Sequence, residues 1–197
     1  MISHPSLLVN VLILIGEGFW VCSIAAQLIK IRRTRNTRGL SAVSQTLNTA
    51  GNVAWATYFA INHLWYPFAT NITMIPLGAA VLGYILSNRK QFGKGMLAIA
   101  TIGPLTSYLL ILSPGSGGWI GMLYNWIAGT PWLIRVVRKK KVSGISAHGI
   151  FFALGAMSCV LAYGIIIRAW PLIVGSIQGF VYELTVARYY YRYRRHG

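Results

Sequence analysis

The chain has 197 residues, 55% hydrophobic and only 10% charged, where a soluble domain carries roughly 25% charged residues. A net charge of +16 with only two acidic residues opens a nucleic-acid-binding reading, but a mean hydropathy of +0.57 points instead to a membrane-embedded chain. Cys22 and Cys159 both lie in apolar runs, which excludes a disulfide framework and a cysteine-based zinc site.

The opening stretch, MISHPSLLVNVLILIGEGFW, lacks the basic n-region of a secretory signal and is apolar over a bilayer-spanning length. It predicts a permanent first transmembrane helix. A hydrocarbon core needs about 20 mostly apolar residues per helix. Seven stretches qualify: 7–29, 41–62, 67–87, 95–113, 118–137, 146–167 and 170–188. None alternates with the period of two that a barrel strand needs, so helices are expected.

Charge placement gives the topology. Lys30, Arg32, Arg33, Arg35 and Arg38 follow the first span, and Arg89, Lys90 and Lys94 follow the third. Arg135, Arg138 and Lys139 to Lys141 follow the fifth, while Arg188, Arg192, Arg194 and Arg195 close the chain. Seven spans put all of these on one side and leave Arg168 alone on the other. The positive-inside rule then predicts a multi-pass plasma (inner) membrane protein with its N-terminus outside and C-terminus cytoplasmic. The basic character is topogenic, and the nucleic-acid reading falls away.

The chain also repeats itself. AQLIKIRRTRNTRGLS at 26–41 matches PWLIRVVRKKKVSGIS at 131–146 without gaps, a shift of 105 residues. The same shift pairs Gly16 with Gly121, Tyr58 with Tyr163 and Trp65 with Trp170. Spans one to three and five to seven are thus two copies. The fourth restores the starting side, so the copies are parallel. The expected fold is an all-α membrane protein of seven transmembrane helices in a 3-1-3 arrangement. Its parts are a first repeat at 1–90, a linker helix at 91–114, and a second repeat with a basic tail at 115–197.

This layout resembles the PQ-loop/SWEET superfamily of small-solute transporters, among which parallel repeats flank a midplane substrate site. The family's Pro-Gln dipeptide closes the first helix of each repeat. Here it reads Ala26-Gln27 in copy one and Pro131-Trp132 in copy two, and the resemblance marks Gln27 and Pro131 as hinge or gate residues. GNVAWATYFAINHLWYPFATN resembles the family's Trp-x-x-Tyr followed by Pro and Asn, at Trp55, Tyr58, Pro67 and Asn71. In sugar-transporting members this Trp and this Asn line the central site.

Asn48, Asn52 and Trp55 share one helix face at i, i+4 and i+7. A polar-aromatic stripe in a membrane faces the bundle interior, either as a solute site or as interhelical hydrogen bonding. On the site reading the indole stacks on a sugar ring while the amides bridge hydroxyls. The copy-two counterparts of the stripe are Ala153, Met157 and Val160, and the counterpart of Asn71 is Ser176, or Gly175 under the alternative register. The expected binding set is therefore Trp55, Asn71, Asn52, Asn48 and Ser176, with copy two forming a mostly apolar wall.

Glu17 and Glu183, the only carboxylates, both fall inside spans, where such groups are costly. Proton coupling and structural hydrogen bonding both stand for them. Gly51 and Gly155 are candidate flexible points, Pro76 and Pro104 lie in spans off the family pattern, and the YYYRYRR tail is an expected interfacial anchor. His63 and His148 sit at helix ends without metal-ligand spacing. No nucleophile constellation, phosphate loop, cofactor motif or metal cluster points to an enzyme.

The resemblance thus implies alternating-access transport of a small polar solute, sugar first, within a lipid bilayer and with a homo-oligomer left open. Three rivals remain: transport or flipping of a lipid-linked sugar or other amphiphile, proton-coupled amino-acid transport, and a cargo-binding receptor of KDEL-receptor type.

Overall fold

A computed structural model describes residues 7–87 except 39, scattered residues between 100 and 113, and residues 116–194 except 141. Six helices form among them: α1 Leu7–Thr34, α2 Ala42–Ile61, α3 Trp65–Ser87, α4 Gly117–Lys139, α5 Ala147–Ile166 and α6 Trp170–Tyr193. The expected fourth span, the linker helix at 95–113, falls largely outside the described residues. Those described there are helical at 100–101, 104–105, 107–108 and 111–112. Ser107 meets α2 through a 2.9 Å hydrogen bond with Thr57.

The repeat reappears in the backbone without a gap. Helices α2 and α5 have identical length and the sequence offset of 105. Both begin on a serine whose hydroxyl accepts a backbone N–H from the first turn: Ser44 N–H to Ser41 and Gly149 N–H to Ser146, each at 3.2 Å. Their first-helix partners end on mated residues in the left-handed region, Arg35 and Lys140, both with φ of 51°. The turns after α2 and α5 use another such pair, His63 at 56° and Arg168 at 57°. α3 and α6 start on the matched Trp65 and Trp170, so the 105-residue register holds and Ser176 is the counterpart of Asn71.

Neighbouring helices close into a ring in the order α1, α3, α2, α4, α6, α5 and back to α1. Within each copy the third helix packs between the first and second. Between copies, the first helix of each lies on the second helix of the other. Glycine permits close approach at both joints. A Cβ at Gly16 would stand 2.6 Å from Cys159 Cβ, and one at its mate Gly121 would stand 2.6 Å from Trp55 Cε2.

The ring has two unlike ends. At one, α1, α3, α4 and α6 finish and α2 and α5 begin. Twelve described Lys and Arg gather there, Lys30, Arg32, Arg33, Arg35, Arg38, Arg135, Arg138, Lys139, Lys140, Arg188, Arg192 and Arg194, while Arg168 lies at the opposite end. At this basic end Lys30 packs over the Tyr190 ring, Arg35 over Tyr84 and Lys140 over Tyr193. Inside it an apolar cluster joins the copies through Ile31, Val136, Leu40 and Ile145. A second cluster, including Ile13, Tyr58, Tyr163 and Leu172, fills the far end.

Outward-facing residues such as Leu14, Ile15, Phe151 and Ile165 are exposed, as expected where lipid is the solvent. The chain is a multi-pass membrane protein. By length and hydropathy alone, however, only α1, α3 and α5 qualify as spans among the described residues. The other helices lose mean hydropathy to interior polar residues, such as Gln45, Asn48 and Asn52 on α2.

Candidate functional site

Between the two apolar clusters lies a cavity of about 260 Å³. It sits on the pseudo-two-fold axis of the repeat, because mated positions line it from both copies: Trp20 with Asn125, Asn52 with Met157, Trp55 with Val160, and Asn71 with Ser176. The sequence-derived candidates Glu17, Asn48, Asn52, Trp55, Asn71, Ser176 and Glu183 all line this cavity. Gln27 lines a second, smaller cavity of about 140 Å³ nearer the basic end, which shares Ile24, Gln45, Asn48 and Glu183 with the first. Pro131 lines neither; it lies inside α4, where its ring removes one helical hydrogen bond.

Trp55 is only 6% exposed. Its indole stacks on Phe59 with centroids 5.4 Å apart and meets Tyr58 edge-on at 5.6 Å, while Gly121 lies against the ring. Packing therefore fixes the ring before any solute arrives. Asn71 lines the cavity and donates to the Pro67 carbonyl at 2.8 Å, which leaves its side-chain oxygen without a protein partner among the described residues. Among the described residues, the side-chain amides of Asn48, Asn52, Asn125 and Gln178 engage no protein group. Unpaired amides in a membrane interior are costly, and they offer both donors and acceptors to a polar solute.

The expected mostly apolar wall from copy two holds for α5 alone, through Met157 and Val160. The rest of that wall is mixed: Pro171 and Leu172 are apolar, but α4 contributes Asn125, and α6 contributes Ser176, Gln178, Tyr182 and Glu183. Comparing only the second helices hid this, because copy two carries its polar groups on its first and third. One signal was legible, since Asn125 is an amide within an apolar span, on the same helix face as Gly121 and Gly129.

The copies are tied together at the basic end by polar contacts. Gln27 donates to the Gly144 carbonyl at 2.8 Å and accepts from the Ser146 N–H at 2.9 Å. Asn36 donates to Ser143 at 3.2 Å, Gly144 N–H to Arg38 at 3.0 Å, and the Lys30 ammonium to the Ile145 carbonyl. Each joint also carries a serine hydroxyl bond at mated positions, Ser23 to Gly149 and Ser44 to Ala128. Trp132, the mate of Gln27, makes no such tie, and its buried indole N–H has no partner. Gly51 and Gly155 serve as close-packing points, with a Cβ at Gly51 standing 3.2 Å from Tyr124 and one at Gly155 standing 3.0 Å from Phe19.

A ring of two parallel three-helix copies around an axial polar cavity is the parallel-repeat class of membrane protein, an architecture found among transporters. Residues 8–68 match the family model described as PQ loop repeat. The chain is 34% identical over 78 residues to the sugar transporter SemiSWEET of Escherichia coli (strain UMEA 3162-1), covering 40% of this chain and 88% of that one. It also superposes on the 3.7 Å structure of a eukaryotic SWEET transporter with a TM-score of 0.70 and 12% identity, over 95% of this chain and 99% of that chain. The chain belongs to the PQ-loop/SWEET superfamily.

Proposed function

We propose that the chain is a membrane transporter that carries a small polar solute, with sugar the favoured class, by alternating access between its two three-helix copies. The observation that carries this reading is the axial cavity with unpaired amides on both copies. The SemiSWEET relative, a sugar transporter by name, supports the sugar class. The cavity, about 260 Å³, is small beside ligand pockets of roughly 300–1,000 Å³, which favours a compact solute over a lipid-linked one. Trp55, Asn71, Asn52, Asn48 and Ser176 are the proposed contacts, with Asn125 and Gln178 added from copy two.

The seven-helix arrangement belongs to the same proposal. α3 ends at the basic end and α4 begins at the far end, the placement that a fourth spanning helix between them would explain. The basic end is assigned to the cytoplasm of the plasma membrane by the positive-inside rule, which puts the N-terminus outside. Gln27 and Pro131 are the proposed gate and hinge.

A second reading, proton coupling, is favoured by one observation: both carboxylates of the chain line the solute cavity. Uptake into proteoliposomes of a panel of sugars, amino acids and lipid-linked sugars, with and without a pH gradient, tests both. Saturable sugar uptake without a gradient supports the primary reading. Uptake confined to amino acids under a proton gradient replaces it.

A further inference from the structure

The only two acidic residues of the chain stand in the wall of one cavity. Glu17 on α1 is 6% exposed and lines it from the copy-one side. Glu183 on α6 has one carboxylate oxygen, Oε2, buried without a partner. No described Lys, Arg or His lines either cavity, although the chain carries 18 Lys and Arg. The nearby basic side chain on α1, Lys30, is spent on the Ile145 carbonyl. The lining therefore holds two carboxyl groups, several unpaired amides and no cation.

A buried carboxylate without a counter-charge is strongly unfavourable, and none of the described residues supplies one there. Amides facing the same space match hydroxyl groups, but hydroxyls alone bring an ionised carboxylate no counter-charge. A solute carrying both hydroxyls and an ammonium group satisfies the whole lining, because an ammonium brings three donors and a positive charge to a carboxylate. Glu183 also lines the cavity nearer the basic end, whereas Glu17 lines only the axial one. The two carboxylates thus stand at successive depths along one path.

We infer that the transported solute is an amine-bearing polyol, such as an amino sugar, with Glu17 and Glu183 supplying its counter-charge in turn. This rests on the reading of the axial cavity as a solute-transport site. The amides then hold the hydroxyl groups, and the ammonium group passes from one carboxylate to the next as the copies rock.

The test is competitive uptake into proteoliposomes of the full chain at neutral pH, using glucosamine, N-acetylglucosamine and glucose. The expected result is a preference for glucosamine over both neutral sugars of about tenfold or more, the scale of a charge-assisted hydrogen bond in a closed site. That ratio should fall toward one in E17Q and in E183Q. Equal uptake of the three sugars by the unaltered protein overturns the inference while leaving sugar transport intact, and it needs no variant to fold. A glucosamine preference that survives in both variants overturns it too. So does glucose uptake that is driven by a proton gradient and loses that drive in E17Q or E183Q. Uptake of none of the three overturns the transport reading itself.

Discussion

The Gln27 side chain clasps the start of α5, accepting the Ser146 N–H at 2.9 Å while donating to the Gly144 carbonyl at 2.8 Å. Gln27 belongs to copy one and its two partners to copy two, so the proposed opening of the basic end would break both bonds if it parts the copies there. Two such bonds contribute about 1–3 kcal/mol between them. Gln27→Ala is expected to shift the population toward a basic end that is open. Spin labels at the exposed Thr34 and Lys139, measured by pulsed dipolar spectroscopy, should report longer distances in the variant. An unchanged distance distribution would show that the clasp does not hold the gate.

The mated position makes the opposite prediction. Trp132 Nε1 is buried with no hydrogen-bond partner, and an unsatisfied buried donor costs about 1–3 kcal/mol. Trp132→Phe removes the donor and keeps an aromatic ring. It should raise the thermal unfolding temperature and, in the same spin-label measurement, favour the closed basic end. A fall in unfolding temperature would contradict this.

Two glycines with the same job separate packing from solute contact. Alanine at Gly16 meets Cys159 Cβ at 2.6 Å, and alanine at Gly121 meets the Trp55 ring at 2.6 Å. Overpacking of this kind costs about 1–3 kcal/mol, so both variants should unfold at lower temperature. Trp55 lines the axial cavity and Cys159 does not. Solute binding, measured by calorimetry, should therefore weaken more in Gly121→Ala than in Gly16→Ala. Equal weakening would remove Trp55 from the site.

Much of this was legible in the sequence, and the reasons for the rest are physical. The repeat was legible because Gly39 and Gly144, Ser41 and Ser146, and Trp65 and Trp170 recur at one offset, and the backbone obeys it. The turns at Arg35, His63, Lys140 and Arg168 were not, since left-handed backbone is expected at glycine or asparagine and none of these four is either. The span of α2 was read as a mostly apolar run of bilayer-spanning length between loop segments. Hydropathy alone misses it, because its polar face points into the ring. The helix order was hidden as well: periodicity says which face is buried, not which neighbour covers it. The polar contribution of α4 and α6 to the cavity therefore needed the fold.

The proposed solute site lies on the axis between the copies and draws on both. Radiolabelled sugar uptake into proteoliposomes, compared for the unaltered chain, Asn52→Leu and Asn125→Leu, tests it most directly. Each variant removes one cavity amide with no protein partner, from α2 of copy one and α4 of copy two respectively. Saturable uptake is expected from the unaltered chain, with a loss of apparent affinity of about tenfold or more in each variant, the scale of a polar solute group left unpaired. Uptake that falls in Asn52→Leu but stays at the unaltered level in Asn125→Leu would contradict it, because the site would then belong to one copy alone.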